Sequence, residues 1–263
     1  HDQFFNFIPK QQTYSTSMAG KLKNSIYLLS LKEWNMDANL KWFFWNPLKF
    51  IGRLFYFVSN KTGIIIFALI FVAGLLLFTF DDHIPYQFDQ FLHIFFAFVG
   101  MVLTLLSFVE KKSPMKAWLL IILSQLYVVL SVALLNDQYQ YREILIYFSG
   151  LFASAILGVR ILYKLRKLEP HLRLDDFYGS IYRHPGLAGI FLLACLAFVG
   201  LPFTPSFIGL DLLYSHIDHD EYFLVSFLTI AFLVLELSVL RIYARLFLGP
   251  DKKQTHPIAY RSS

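Results

Sequence analysis

A single cysteine, Cys195, occurs among 263 residues, and it lies inside an apolar run. That excludes an internal disulfide, a thiol redox pair and a metal site built from several thiolates; Cys195 reads instead as a small buried apolar side chain. Charged residues are also scarce, at 16% of the chain, against about a quarter in ordinary soluble domains. The sequence has no glycine-rich phosphate loop and no nucleophile triad, and His216 with Asp218 and His219 stands too isolated to make a metal site. No metal or cofactor is therefore expected, and any redox or hydrolytic chemistry belongs to another chain. The first twenty residues lack the basic start, apolar centre and small-residue cleavage site of a secretory signal, and the chain opens on His1 rather than Met, so it reads as a fragment.

What is present is hydrocarbon. Hydrophobic residues make up 57% of the chain, with 29 Phe and 15 Tyr, too many for one ordinary soluble core. A bilayer is crossed by about 20 apolar residues of helix. Six stretches approach or exceed that length: Gly63 to Phe80, Phe91 to Val109, Met115 to Leu135, Ile144 to Leu162, Pro185 to His216, and Tyr222 to Leu248. Hydrocarbon offers the backbone no hydrogen-bond partner, so these are helices rather than lone strands. The predicted fold is all-α, a polytopic membrane helix bundle of about six spans, one of them discontinuous.

Lys and Arg in short loops favour the cytoplasmic side, and here they alternate with acidic or neutral connections. Lys41, Lys49, Arg53 and Lys61 precede the first stretch, Lys111 and Lys112 follow the second, and Lys164, Arg166, Lys167, Arg173 and Arg183 follow the fourth; Lys252 and Lys253 lie in the tail. Between them come Asp81, Asp82 and Asp89, then Asp137 with Arg142 and Glu143, then Asp218, Asp220 and Glu221. Membrane topology thus accounts for the net charge of +5, and no nucleic-acid partner is expected. Both ends fall on the cytoplasmic side, provided that Pro185 to His216 crosses once. Residues 1–62 mix Trp34, Trp42, Trp45 and Phe50 with lysines and have no run long enough to span. They read as an interfacial amphipathic lead that Pro47 divides into two helices. Residues 63–250 form the bundle, and 251–263 a cytoplasmic tail.

The fifth stretch carries the strongest local signal. Pro202 and Pro205 each remove a helical donor, and Gly200 and Gly209 loosen the backbone. A break at membrane depth is tolerated where it faces protein or a wet cavity; a kinked helix or short hairpin without a transport role is the plain alternative. Glu236 lies well inside the sixth stretch, where an isolated charge is expensive. Arg241 follows five residues later, about 140° around the helix, so the partner of Glu236 must come from another helix, unless it is a purely structural buried carboxyl. Asp211 and His216 follow the break, where a half-helix end organises water or an ion, or where they are simply solvated. His93 stands early in the second stretch, as a relay or at the interface. Ser124 and Gln125 are central in the third, holding water or bridging helices.

A helix ending in the basic cluster Lys164, Arg166 and Lys167 leads to Asp176, Gly179, Pro185, an apolar run, and Gly200-Leu201-Pro202 with Phe207 and Gly209, over the stretch Glu169 to Asp211. Ser124-Gln125-Leu126 follows the basic pair Lys111 and Lys112, and Arg241 leads to Phe247, Gly249 and Pro250. Over Phe91 to Pro250 the chain resembles the later half of the antiporter-like, proton-translocating membrane subunits of respiratory complex I, of Mrp-type antiporters and of energy-coupled inorganic-carbon transporters. The resemblance implies a proton- or Na⁺-conducting subunit that works with other membrane and peripheral subunits, along a polar axis joining Gln125, the break near Pro205, Asp211 and Glu236. It also admits the membrane subunit of a proton-driven bicarbonate or CO₂ uptake complex, or a non-conducting scaffold. The chain departs from that family at Leu210, where its pumping members carry Lys or Glu, and at Phe148, Ser149, Gly150 and Leu151, in a region that elsewhere holds His or Lys.

Overall fold

The computed structural model describes residues 42, 46–54, 61–79, 86–135, 141–169, 171–215, 217 and 221–250. Most of the expected lead and the whole of the tail lie outside the described residues. Among the described residues the regular structure is helical: α1 Asn46–Leu54, α2 Lys61–Thr79, α3 Tyr86–Val109, α4 Pro114–Leu135, α5 Tyr141–Leu168, α6 Pro185–Val199, α7 Pro205–Ser215 and α8 Tyr222–Phe247. Residues 1–48 and 49–263 form two separate units. In α1, Pro47 stands in the first turn, where its missing N–H breaks no helical bond.

Five helices, α2 to α5 and α8, are long and apolar enough to cross a membrane. The chain is a polytopic helical bundle. α3 and α4 form its tightest pair, joined across the interface by the Ser107 hydroxyl, which donates to the Ala117 carbonyl at 2.9 Å. α8 packs on α3, while α5 packs on both α6 and α7. Trp118, Tyr127, Phe191 and Phe247 are the largest side chains enclosed in the interior. α2 is peripheral and touches α4 through Tyr127, whose hydroxyl donates to the Phe67 carbonyl at 2.6 Å. α5 runs on to Leu168, beyond the Leu162 expected from hydropathy, because Arg160, Lys164, Arg166 and Lys167 all lie on its exposed side, where long cations reach toward water.

The remaining apolar stretch is divided as its prolines require. α6 ends at Val199, Gly200 adopts a left-handed conformation (φ 90°) and returns its N–H to the Leu196 carbonyl, and α7 starts at Pro205. The two pieces run in the same direction along α5. Arg183, just before α6, pairs with Glu169 at the end of α5, whereas Ser206 and Gly209 of α7 lie against Gly150 and Tyr147 near its start. They make one interrupted crossing.

At one end of the bundle the basic connections meet. The Leu174 N–H donates to the Lys111 carbonyl at 2.7 Å, joining the connection after α3 to that after α5. The latter then crosses the end of α8: Tyr178, Gly179, Ser180 and Ile181 donate to the carbonyls of Arg245, Leu248, Leu246 and Phe247 at 3.0 to 3.3 Å. These bonds satisfy acceptors that a helix C-terminus leaves open. Gly179 has φ +59°, and a Cβ there would lie 2.7 Å from the carbonyl oxygens of Gly249 and Pro250. Glycine is required at this crossing.

Candidate functional site

The interior of the bundle encloses a polar group between α4 and α5. The Tyr147 hydroxyl donates to Gln125 Oε1 at 2.6 Å, with Tyr147 2% and Gln125 0% exposed. Gln125 lies eleven residues beyond Pro114, about 16 Å along α4 and close to its middle. Ser124 is its equally enclosed neighbour, and neither the Ser124 hydroxyl nor Gln125 Nε2 has a hydrogen-bond partner among the described residues. Buried polar groups are nearly always paired with protein or water. This group therefore has open donors that suit an ordered water.

Close helix packing holds Tyr147 in place. A Cβ on Gly209 would lie 2.5 Å from Tyr147 Cα, and one on Gly150 would collide with the Ser206 backbone. Two glycines thus allow α7 to approach α5 backbone to backbone, the small-residue contact by which membrane helices pack. The break beside this contact is closed by hydroxyls. Ser206 Oγ donates to the Ala197 carbonyl at the end of α6, Thr204 Oγ1 donates to the Leu201 carbonyl at 2.7 Å, and the two hydroxyls are 2.9 Å apart.

Charged groups collect at the ends of the bundle. His93, on α3 and 5% exposed, faces Glu221 at the start of α8 across 3.2 Å. At the opposite end Arg241 donates to the carbonyls of Phe108, Glu110 and Leu174, so it caps the open C-terminus of α3 and ties it to the connection after α5. Glu110, fully buried, pairs with Lys116 Nζ at 2.8 Å and accepts the Lys112 N–H at the same distance. Glu169 pairs with Arg183 at 2.7 Å and accepts the Ser180 hydroxyl at 3.2 Å.

Of the residues expected to form a pathway, Ser124 and Gln125 are interior and adjacent to Tyr147, which adjoins the break. Asp211 and Glu236 are exposed on the outer surface of the bundle, and no hydrogen bond or ion pair joins them to Gln125 among the described residues. Glu236 is thus not buried within this chain. Arg241 is bound to backbone carbonyls, His93 is a partner of Glu221, and His216 lies outside the described residues. Gly200, Pro202 and Pro205 bound the break, whereas Gly209 lies inside α7, against Tyr147. Tyr147, Glu110, Glu169 and Glu221 were not singled out from sequence. Glu110 had a readable signal, since it ends an apolar run directly before Lys111 and Lys112; Tyr147 had none, because one more aromatic among many is inconspicuous. Comparison with protein-family models, curated proteins and solved structures returns no match for this chain.

Proposed function

We propose that the chain is a proton- or Na⁺-conducting membrane subunit of a multi-subunit ion-translocating complex of the complex I or Mrp antiporter type. The observation that carries this reading is the enclosed pair Ser124 and Gln125 at the middle of α4, bonded to Tyr147 and with open donors beside an interrupted helix. Polar side chains kept at such depth are costly unless water or an ion visits them. Glu236 supports the multi-subunit aspect. It lies fourteen residues from one end of α8 and eleven from the other, about 21 and 16 Å along the helix, yet it faces outward. An ionisable group at that depth is stabilised by a neighbouring subunit rather than by acyl chains.

A second reading, a non-conducting membrane scaffold, is favoured by the closure of the break through Ser206 and Thr204. The two are separated by ion flux. The complex, purified through a tag on this chain and reconstituted into proteoliposomes, is assayed with proton- and Na⁺-sensitive dyes. The double variant Tyr147→Phe, Gln125→Leu is expected to lower flux severalfold while the complex stays assembled. Unchanged flux removes this group from any pathway and leaves the scaffold reading.

A further inference from the structure

At the basic end of the bundle a cavity of about 290 Å³ opens between the start of α4, the end of α5 and the loop beyond it. Its size is close to the lower limit of small-ligand pockets, about 300 Å³. Lys112, Arg166 and Arg173 contribute cations to its lining, Met115, Leu162 and Leu172 supply apolar surface, and none of its lining residues is acidic. Arg173 shares its charge with Asp175 at 2.7 Å. Lys112 and Arg166 are exposed, and neither forms an ion pair among the described residues. The first turn of α4 also lines the cavity and adds the positive end of its dipole.

Depth defines the ligand further. The cavity lies where the apolar segments Pro114–Leu134 and Ile144–Leu168 end on the same side of the bundle, the level of lipid headgroups. Two cations with no ion pair among the described residues, above an apolar floor, suit a group that is anionic at one end and greasy at the other. We infer that this cavity binds a phosphate-class anion, supplied by the headgroup of an anionic phospholipid. The inference rests on the membrane-spanning fold and is independent of conduction.

The test uses the full chain in detergent micelles, titrated with phosphatidylglycerol or phosphatidylcholine and read by native mass spectrometry. The wild type is expected to retain phosphatidylglycerol in preference to phosphatidylcholine. Lys112→Gln and Arg166→Gln each weaken retention about fivefold, and the pair about 25-fold, the effect of roughly 1 kcal/mol per basic residue at a membrane surface. Lys164→Gln removes an exposed cation of α5 outside the cavity and leaves retention unchanged. Lys112→Arg keeps the charge and keeps the lipid. Displacement of the lipid by inorganic phosphate supports the shared phosphate chemistry and identifies a free anion as a competing source; failure to displace it supports the headgroup alone. Equal retention of the two lipids by the wild type, or equal retention by the double variant and Lys164→Gln, overturns the inference, as does a co-purifying acidic protein in place of lipid.

Discussion

The bond between Tyr147 and Gln125 is short, at 2.6 Å, and has no water-exposed alternative. Tyr147→Phe keeps the ring and leaves the Gln125 carbonyl unpaired, a cost of about 1–3 kcal/mol. Adding Gln125→Leu removes the stranded amide, so the double variant is expected to be more stable than Tyr147→Phe alone. Thermal unfolding in detergent measures both, and a double variant less stable than the single one contradicts the pairing. Arg241 offers a second test at this scale. Its guanidinium serves the carbonyls of Phe108, Glu110 and Leu174, and Arg241→Met strips all of them at once, for an expected loss of about 2–5 kcal/mol. Arg241→Lys restores only part of it, because one ammonium lacks the planar fork of donors.

Between elements, the contact of α5 with α7 depends on the absence of side-chain volume. Gly209→Ala would place a methyl against the Tyr147 backbone and is expected to cost about 1–3 kcal/mol by forcing the helices apart. Gly186 and Gly189 of α6 are a built-in contrast, since a Cβ at either meets nothing within 4 Å. Gly186→Ala and Gly189→Ala are expected to be neutral or slightly stabilising, by up to about 1 kcal/mol. The same melting experiment ranks the set, and a destabilised Gly189→Ala alongside a silent Gly209→Ala would contradict the placement of the two half-helices. Ser206→Ala tests the seam between them. It frees the Ala197 carbonyl and should cost about 1 kcal/mol or more.

Over the whole molecule, charge is distributed by side. Lys112, Arg166 and Arg173 gather at one end, and the His93–Glu221 pair lies at the other. Cysteines introduced at Lys112 and Arg166 should therefore react with a membrane-impermeant thiol reagent from the same side of sealed vesicles, and a cysteine at Tyr222 from the opposite side. Cys195, 3% exposed, should stay silent in the background. Labelling of all three from one side would contradict the single interrupted crossing of α6 and α7, since that crossing reverses the direction of α8.

Sequence alone determined the helical class, the position of the spans and the break. These follow from local quantities: hydrocarbon thickness sets segment length, proline removes donors wherever it stands, and each loop carries its own basic or acidic residues. The rotation of each helix about its axis was decided only by tertiary packing. α4 and α8 are apolar nearly all round, so no stripe distinguishes the face toward protein from the face toward lipid, and lipid tails are as apolar as leucine. Glu236 and Arg241, five residues apart, illustrate the consequence. Both stand in the same apolar stretch of the sequence, but in the folded bundle the carboxylate faces outward while the guanidinium turns inward to the carbonyls at the end of α3.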